Sequence, residues 1–414
     1  MELPRHEQAA IEESLAAFPV VLLTGARQVG KTTLARRIAA GPWHAEYRTL
    51  DDAVVREAAR GDPDGFLAAA GAPLVLDEVQ VAPDLLRAIK VRVDQTRAPG
   101  QYLLTGSANV LALRRVTESL AGRVAVHELG PLSWSELAGQ TAPRWTFDDL
   151  FRVETPRELA DLLGPVRDLV AVRERVLAGG YPTPALAGTR AVRARWFDSY
   201  VRTYVERDIP DIAGIEYLGV FERLLRLLIL RTGNLLNVSD LARALGLPVT
   251  TANRYVDLLA ATYQVTLLPP LTGNAEKRLV KAPKVYGGDS GLAAALSGAA
   301  TWEDLERGGR AGALFETWVL GELKRRAAVG ETQVSVSFWR THAGREVDFV
   351  VERGAHAIGI EAKPGARVDR ADFAGLDALA QSRPLRFEIV VYGGTSVVPF
   401  GEGKVAIPAS AFFL

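Results

Sequence analysis

Apolar residues fall first into short uninterrupted runs and, past residue 140, into helical and then alternating patterns. Val20-Val21-Leu22-Leu23-Thr24 is bounded by Pro19 and Gly25, and Leu34, Ile38 and the alanines around them follow at helical spacing. Three more runs end in polar turns. Tyr47-Arg48-Thr49-Leu50 leads into Asp51-Asp52, and Pro73-Leu74-Val75-Leu76 into Asp77-Glu78. Gln101-Tyr102-Leu103-Leu104-Thr105 leads into Gly106-Ser107-Ala108-Asn109. Strands that are apolar on both faces and separated by helices predict a parallel sheet wrapped by helices, here over residues 1–140.

Beyond Pro131-Leu132-Ser133-Trp134 the strand pattern stops, and residues 141–235 read as a mostly helical linker region. Its segment 193–208 mixes Arg193, Arg195, Arg202 and Arg207 with Trp196, Phe197, Tyr200 and Tyr204. Basic residues among aromatics suit nucleic acid, whereas Trp196, Tyr200 and Tyr204 at a spacing of four suit a core-facing stripe. Residues 236–289 form a unit of their own. A helix capped at Ser239, a turn at Gly246-Leu247-Pro248, a second helix from Thr250 and a strand from Val265 give the order of a winged helix. Thr250, Thr251, Asn253 and Arg254 would then face a DNA groove, although such modules also serve as scaffolds. Residues 290–414 predict a further α/β domain with alternating strands.

The turn after the first strand reads Gly25-Ala26-Arg27-Gln28-Val29-Gly30-Lys31-Thr32, followed by Thr33. Glycines at both ends let successive backbone N–H groups curl around phosphate oxygens. Lys31 is placed for the β- and γ-phosphates, and the Thr32 hydroxyl for Mg²⁺. A strand before the loop and a helix after it supply the context that phosphate binding needs. Asp77 is the expected second Mg²⁺ contact, and Glu78 the residue that polarises the attacking water. Ser107 or Asn109 could sense the γ-phosphate from a neighbouring strand end, and Arg123 could offer it a cation in cis or from another subunit.

A second constellation lies near the other end. Glu346-Val347-Asp348-Phe349-Val350-Val351-Glu352 and Ile358-Gly359-Ile360-Glu361-Ala362-Lys363 both alternate, and Arg353-Gly354-Ala355-His356 can turn the chain between them. Asp348, Glu361 and Lys363 then converge on one side of a strand pair. Two carboxylates there suit Mg²⁺, and the lysine suits a hydroxide nucleophile or a phosphate. Glu316, on a preceding helix, could add a carboxylate. A salt-bridged sheet face is the alternative.

Composition limits the partners. Lys+Arg and Asp+Glu both total 49, so no overall basic field announces nucleic acid, and such a site must be a local patch. The absence of cysteine excludes disulfides and thiolate chemistry, and the five histidines show no zinc-like spacing. Residues 224–230 are the longest apolar stretch, interrupted by Arg226, so no membrane span is expected and a cytoplasmic location is.

Together these motifs resemble the bacterial and archaeal family of AAA-type P-loop ATPases whose C-terminal half, a domain of unknown function, is similar to PD-(D/E)XK nucleases. The likeness rests on residues 25–32, Leu76-Asp77-Glu78, Leu104-Thr105-Gly106-Ser107, residues 200–209, Asp289-Ser290-Gly291-Leu292, Arg340-Thr341 with Arg345-Glu346-Val347-Asp348, and Glu361-Ala362-Lys363. The resemblance implies an ATP- and Mg²⁺-dependent ATPase with a restriction-endonuclease-like C-terminal domain. Partners expected are ATP, with DNA or RNA, or a protein, at the C-terminal half. Unlike ring-forming relatives, the chain shows no recognisable helical lid with a sensor arginine after the sheet.

Overall fold

The computed structural model describes residues 3–106, 120–210, 215, 217–271 and 282–414. Ser107 and Asn109 lie outside the described residues. The N-terminal unit is a five-stranded sheet in the order β2-β3-β4-β1-β5, every pairing parallel. Its strands are β1 (Val20–Thr24), β2 (Glu46–Thr49), β3 (Leu74–Asp77), β4 (Tyr102–Thr105) and β5 (Val124–Glu128). The central strands β1, β3 and β4 are buried throughout, which is why their sequences run apolar without alternation. Helices α1 (Glu7–Ala17) and α2 (Lys31–Ala40) pack against this sheet.

In the helical stretch, α3 (Arg190–Thr203) settles the arginine–aromatic segment toward packing. Tyr200 and Tyr204 are buried, Trp196 stacks on Tyr200 at 5.2 Å, and Tyr200 stacks on Tyr204 at 6.4 Å. The rings are therefore spent on one another and on the core. The next unit holds α4 (Val238–Leu245), α5 (Val249–Ala261) and an antiparallel sheet, order β6-β8-β7, of β6 (Asn234–Leu235), β7 (Val265–Leu268) and β8 (Lys284–Gly287). The N-cap of α4 is Asn237, whose side-chain oxygen accepts from Asp240 N at 3.0 Å, and not Ser239. Asparagine precedes the serine and already satisfies one of the helix's free N–H groups, that of Asp240. Thr250, Asn253 and Arg254 are exposed on α5, whereas Tyr255 is buried.

The C-terminal sheet has six strands in the order β13-β14-β12-β11-β10-β9. They are β9 (Ser335–Arg340), β10 (Glu346–Arg353), β11 (His356–Lys363), β12 (Phe387–Tyr392), β13 (Val398–Gly401) and β14 (Lys404–Pro408). The expected hairpin is β10–β11, antiparallel with Arg353 opposite His356, while β11, β12 and β14 run parallel. Helix α6 (Ala311–Ala328) packs on β11 and also reaches the N-terminal unit, where its Glu322 accepts from Trp134 N at 3.0 Å and its Lys324 lies 3.4 Å from Glu128. Its Arg326 donates to the carbonyls of Trp145 at 2.6 Å and Phe413 at 3.1 Å. One continuous set of buried apolar side chains runs from Ile11 through to Leu414. No described helix is long and apolar enough to cross a membrane.

Candidate functional site

Gly25 has φ +140°, and a Cβ added there would lie 2.2 Å from the carbonyl oxygen of Leu129, so the loop's first position admits glycine alone. Gly30, at φ +100°, leads into α2 without any side-chain cap. The first N–H groups of that helix are thus left for an outside acceptor, at the end where the helix dipole favours an anion. Lys31 is 6% exposed and donates to the loop's own carbonyls, Gly25 O at 3.0 Å and Ala26 O at 2.8 Å. Arg5, absent from the sequence reading, braces the loop from outside by donating to Val29 O at 2.7 Å and Gly130 O at 2.6 Å.

Asp77, at the end of β3, is the hub beside the loop. It accepts from Thr32 Oγ1 at 2.9 Å, from Tyr47 Oη at 2.6 Å and from Thr105 Oγ1. Thr32 and Asp77, both read as Mg²⁺ contacts, lie side by side, and two hard oxygen donors so placed suit that ion. Tyr47 and Thr105 were read from the sequence only as strand residues, without a role at Asp77. Burial first, and then the bond to Asp77, push the Tyr47 hydroxyl up to about 12, so it stays a donor. Glu78 follows in a left-handed conformation at φ +60°, and its carboxylate accepts from Gln80 Nε2. A bulky residue in that region costs energy and is most often found where a side chain must be aimed.

Arg123 does not join this group in cis. It immediately precedes β5, and Val20, the first residue of β1, pairs with Val124. The arginine therefore sits at the amino ends of the strands, roughly 16 Å along β1 from the loop at about 3.3 Å per residue. There it pairs with Asp94.

The second constellation does converge. Phe349 pairs with Ile360, which sets Asp348 and Glu361 beside each other, and Asp348 Oδ2 accepts from Ala362 N at 2.9 Å. Lys363 Nζ lies 3.0 Å from Glu361 Oε1 and 3.8 Å from Asp372. Glu316, from α6, accepts from Tyr286 Oη at 3.0 Å. Burial, and then the nearby Asp348 charge, push both Glu316 and Glu361 up to about 8. Asp348 is raised as well, mainly by burial, with Lys284 pulling the other way.

Sequence reasoning missed Lys284 altogether. It reaches in from β8, 3% exposed, with Nζ 3.8 Å from Glu316 and 3.9 Å from Asp348, and it also pairs with Glu346. Burial opposes its charge, yet these carboxylates hold it above the ordinary lysine range. No grouping of three His, Cys, Asp or Glu that suits a metal occurs among the described residues. Asp348 and Glu361 still offer hard oxygen donors, and Glu361 Oε2 is buried without a hydrogen-bond partner. A divalent cation at this pair would compete with Lys284 for the Asp348 carboxylate.

Three known domains match the chain. An AAA domain matches residues 17–138, a domain of unknown function (DUF8612) residues 170–303, and a domain of unknown function (DUF4143) residues 311–412. The N-terminal unit is thus an AAA-type, ATP-binding P-loop domain. Among solved structures, AMPPCP-bound DnaA from Aquifex aeolicus is 14% identical, over 62% of this chain and 88% of that one, with a TM-score of 0.28. The Holliday junction branch migration motor RuvB of Thermotoga maritima is 20% identical, over 66% of this chain and 91% of that one, also at 0.28. Two curated relatives are more extensive matches. The uncharacterized proteins Mb2031c of Mycobacterium bovis and Rv2008c of Mycobacterium tuberculosis are each 31% identical over 414 residues, 99% of this chain and 84% of theirs. By that likeness, sustained along its length, the chain belongs to the family of these two mycobacterial proteins.

Proposed function

We propose that the protein is an Mg²⁺-dependent ATPase whose nucleotide state controls a nuclease-like module at its C-terminal end. The observation that carries the first half is the cluster around Asp77. Thr32 and Asp77 would hold Mg²⁺, Lys31 would turn from its loop carbonyls to the phosphates, and Glu78 would take the proton of the attacking water. The metal supplies charge neutralisation on the phosphates. Tyr47 and Thr105 keep the Asp77 oxygens aimed toward Thr32. Division of the chain into an ATPase unit (1–140), a helical region (141–235), a winged-helix-like module (236–289) and a nuclease-like domain (290–414) is part of this proposal.

For the second half, Asp348 and Glu361 beside Lys363 support a PD-(D/E)XK-like arrangement, with Glu316 as a further carboxylate. DNA or RNA presented through the exposed face of α5 would be its substrate. The placement of Lys284 favours a second reading, in which the domain cleaves nothing and serves as a nucleotide-dependent docking surface for a protein. Its ammonium already balances the charge that a metal would otherwise neutralise.

ATP hydrolysis and Mg²⁺- or Mn²⁺-dependent cleavage of mixed DNA and RNA, measured together on wild type and Asp348→Ala, separate the two. Cleavage lost in the variant with hydrolysis kept supports the nuclease reading. Hydrolysis without cleavage in the wild type supports the docking surface. Absence of ATP hydrolysis in the wild type, with or without nucleic acid, would overturn the ATPase itself.

A further inference from the structure

The helix Leu85–Thr96 joins β3 to β4 and buries its apolar side on the sheet. Its Leu85, Ile89 and Val93 share one buried cluster with Leu22, Leu76 and Leu104, whereas Val21 and Leu23 belong to the cluster that holds Leu15 of α1 and Leu34 of α2. Successive residues of a strand point to opposite faces, so this helix covers the face away from α1 and α2. Its outer side carries Arg87, Lys90, Val91 and Asp94, all exposed, at the spacing of three and four that sets them in one row. Arg97, the C-cap, extends the row. Its backbone is left-handed at φ +49°, where any side chain costs energy that glycine would not. Arg123 reaches the row from the segment before β5 and donates to Asp94.

Four cations, Arg87, Lys90, Arg97 and Arg123, thus stand around one carboxylate. The Arg123 hydrogen bond first, and then the charges of Lys90 and Arg97, hold the Asp94 carboxyl below its ordinary range. Asp94 therefore stays charged and fixes Arg123, and the row keeps its positive excess. In a chain whose Lys+Arg and Asp+Glu both total 49, a surface for a polyanion has to be local, and here the cations are gathered locally.

From Arg87 to Arg97 is ten residues, roughly 15 Å of helix at 1.5 Å per residue. One strand of a duplex carries a phosphate about every 3.4 Å along the axis, so the row faces on the order of four phosphates. Three of the four cations are arginines, whose guanidinium meets a phosphate with paired N–H donors. A membrane surface asks for an apolar face to insert, and a protein interface for an apolar or aromatic centre. This helix offers neither, since Val91 is its one large exposed apolar side chain. We propose that the row is a sequence-independent docking surface for the phosphate backbone of a nucleic acid, separate from both the phosphate loop and the Asp348 cluster. Arg123, too far along β1 to meet the triphosphate in cis, has its role here.

Fluorescence anisotropy of short labelled DNA and RNA duplexes with the full chain, from about 50 to 200 mM salt, tests this surface. Arg87→Gln combined with Lys90→Gln removes two phosphate contacts. The plot of log affinity against log salt should become shallower by about 1.8, at about 0.9 per contact, and affinity at the lower salt about tenfold to a hundredfold weaker. Arg87→Lys combined with Lys90→Arg keeps both charges and should retain the wild-type slope. ATP binding and Tm should match wild type in every variant, a check that each is folded. Binding of either duplex with this dependence supports the proposal, and the tighter one names the natural backbone. Affinity and slope unchanged in the Gln variant would overturn it, because the backbone would then dock elsewhere. So would a wild type that binds neither duplex at about 50 mM salt. Binding of phosphatidylserine–phosphatidylcholine vesicles in place of the duplexes would overturn it in favour of a membrane surface. Asp348→Ala should bind as wild type does, so failure of the nuclease reading is distinguishable from failure of this one.

Discussion

Lys284→Met keeps the length of the side chain and deletes its charge, and it tests whether the acidic cluster is held together by this one ammonium. The wild-type Nζ lies 3.8 Å from Glu316 and 3.9 Å from Asp348, with Glu346 in contact as well. At an effective dielectric constant near 20, a unit pair about 3.9 Å apart is attracted by about 4 kcal/mol before desolvation. Glu316, pushed up to about 8, is mostly protonated at pH 7.5, so the full pair is the one with Asp348, and with the Glu346 contact it offsets the burial of the lysine. Without the ammonium, Glu316 and Asp348 face each other as buried carboxyls with no cation between them. Losing one partner of a buried ion pair costs about 3–5 kcal/mol.

At about 2.1 cal/mol/K of unfolding entropy per residue, 414 residues convert that cost into a Tm lowered by about 3–6 °C. Differential scanning calorimetry at pH 7.5 measures it, and ATP binding should be unchanged. Added Mn²⁺ should raise the Tm of the variant more than that of wild type, because the competing ammonium is gone. A variant that melts within 1 °C of wild type would refute the reasoning, since the carboxyls would then need no cation. Equal response of both proteins to Mn²⁺ would refute the competition.

Three further outcomes are expected. Glu78→Gln should bind ATP normally and release phosphate about a hundredfold more slowly, as for loss of a water-activating group, in a continuous phosphate assay. Tyr47→Phe removes one half-buried hydrogen bond to Asp77 worth about 1 kcal/mol, so hydrolysis should fall about fivefold and half-saturation by Mg²⁺ should move upward. Glu7→Gln should reveal a pH effect. Burial, and then the neighbouring Glu136 charge, raise the Glu7 carboxyl from 4.5 to about 7. Folded Glu7 therefore holds a proton that the unfolded chain releases, and stability from this group is greatest below pH 4.5 and is lost as pH rises through 7. The variant should match wild type in thermal melts at pH 4.5 and exceed it at pH 8, by up to about 3 kcal/mol. A constant difference across that range would show that Glu7 does not titrate there.

What could be read from the sequence was whatever is local. The phosphate loop is eight consecutive residues, and its strand and helix adjoin it, so β1, the loop and α2 were legible together. Asp348, Glu361 and Lys363 were legible because one short turn joins β10 to β11, and alternation then fixes which side chains share a face. Contacts made over long separations were not. Lys284 is 64 residues from Asp348, on a strand whose neighbours carry no motif, and only the packing of β8 near β10 brings it in. Tyr47 was visible as part of a strand, but its tie to Asp77 depends on β2 pairing with β3. A place for Arg123 in cis could be offered because β5 went unrecognised: without that strand, nothing showed that the arginine precedes it and lies at the far end of the sheet. Ser239 lost the cap of α4 because two eligible residues stand close together, and the earlier one takes the role.

Control of the C-terminal half by nucleotide needs a mechanical connection, and buried hydrogen bonds between the loop and α6 supply one. Arg5 donates to Val29 O within the loop and to Glu136 Oε1 at 3.2 Å. Glu136 is fixed in turn by the backbone N–H groups of His6 and Ser133, both at 2.7 Å. One residue on from Ser133, Trp134 N donates to Glu322 Oε1 at 3.0 Å, and Arg325 donates to the same oxygen at 2.8 Å. Glu136 and Glu322 are each 1% exposed and Arg5 is 7% exposed, so no member can change partner by small adjustment into water. Close-packed buried groups of this kind respond by moving together or not at all. A ligand that draws Lys31 off the carbonyls of Gly25 and Ala26 alters the loop between Val29, held by Arg5, and Thr24 at the end of β1, whose Oγ1 accepts from Tyr263 Oη at 3.1 Å. Arg5 leads through Glu136 to the turn whose Trp134 bonds Glu322 of α6, and Tyr263 stands just before β7. The proposed switch therefore needs no hinge between separate domains, only two positions of α6 relative to the sheet on which the loop is built.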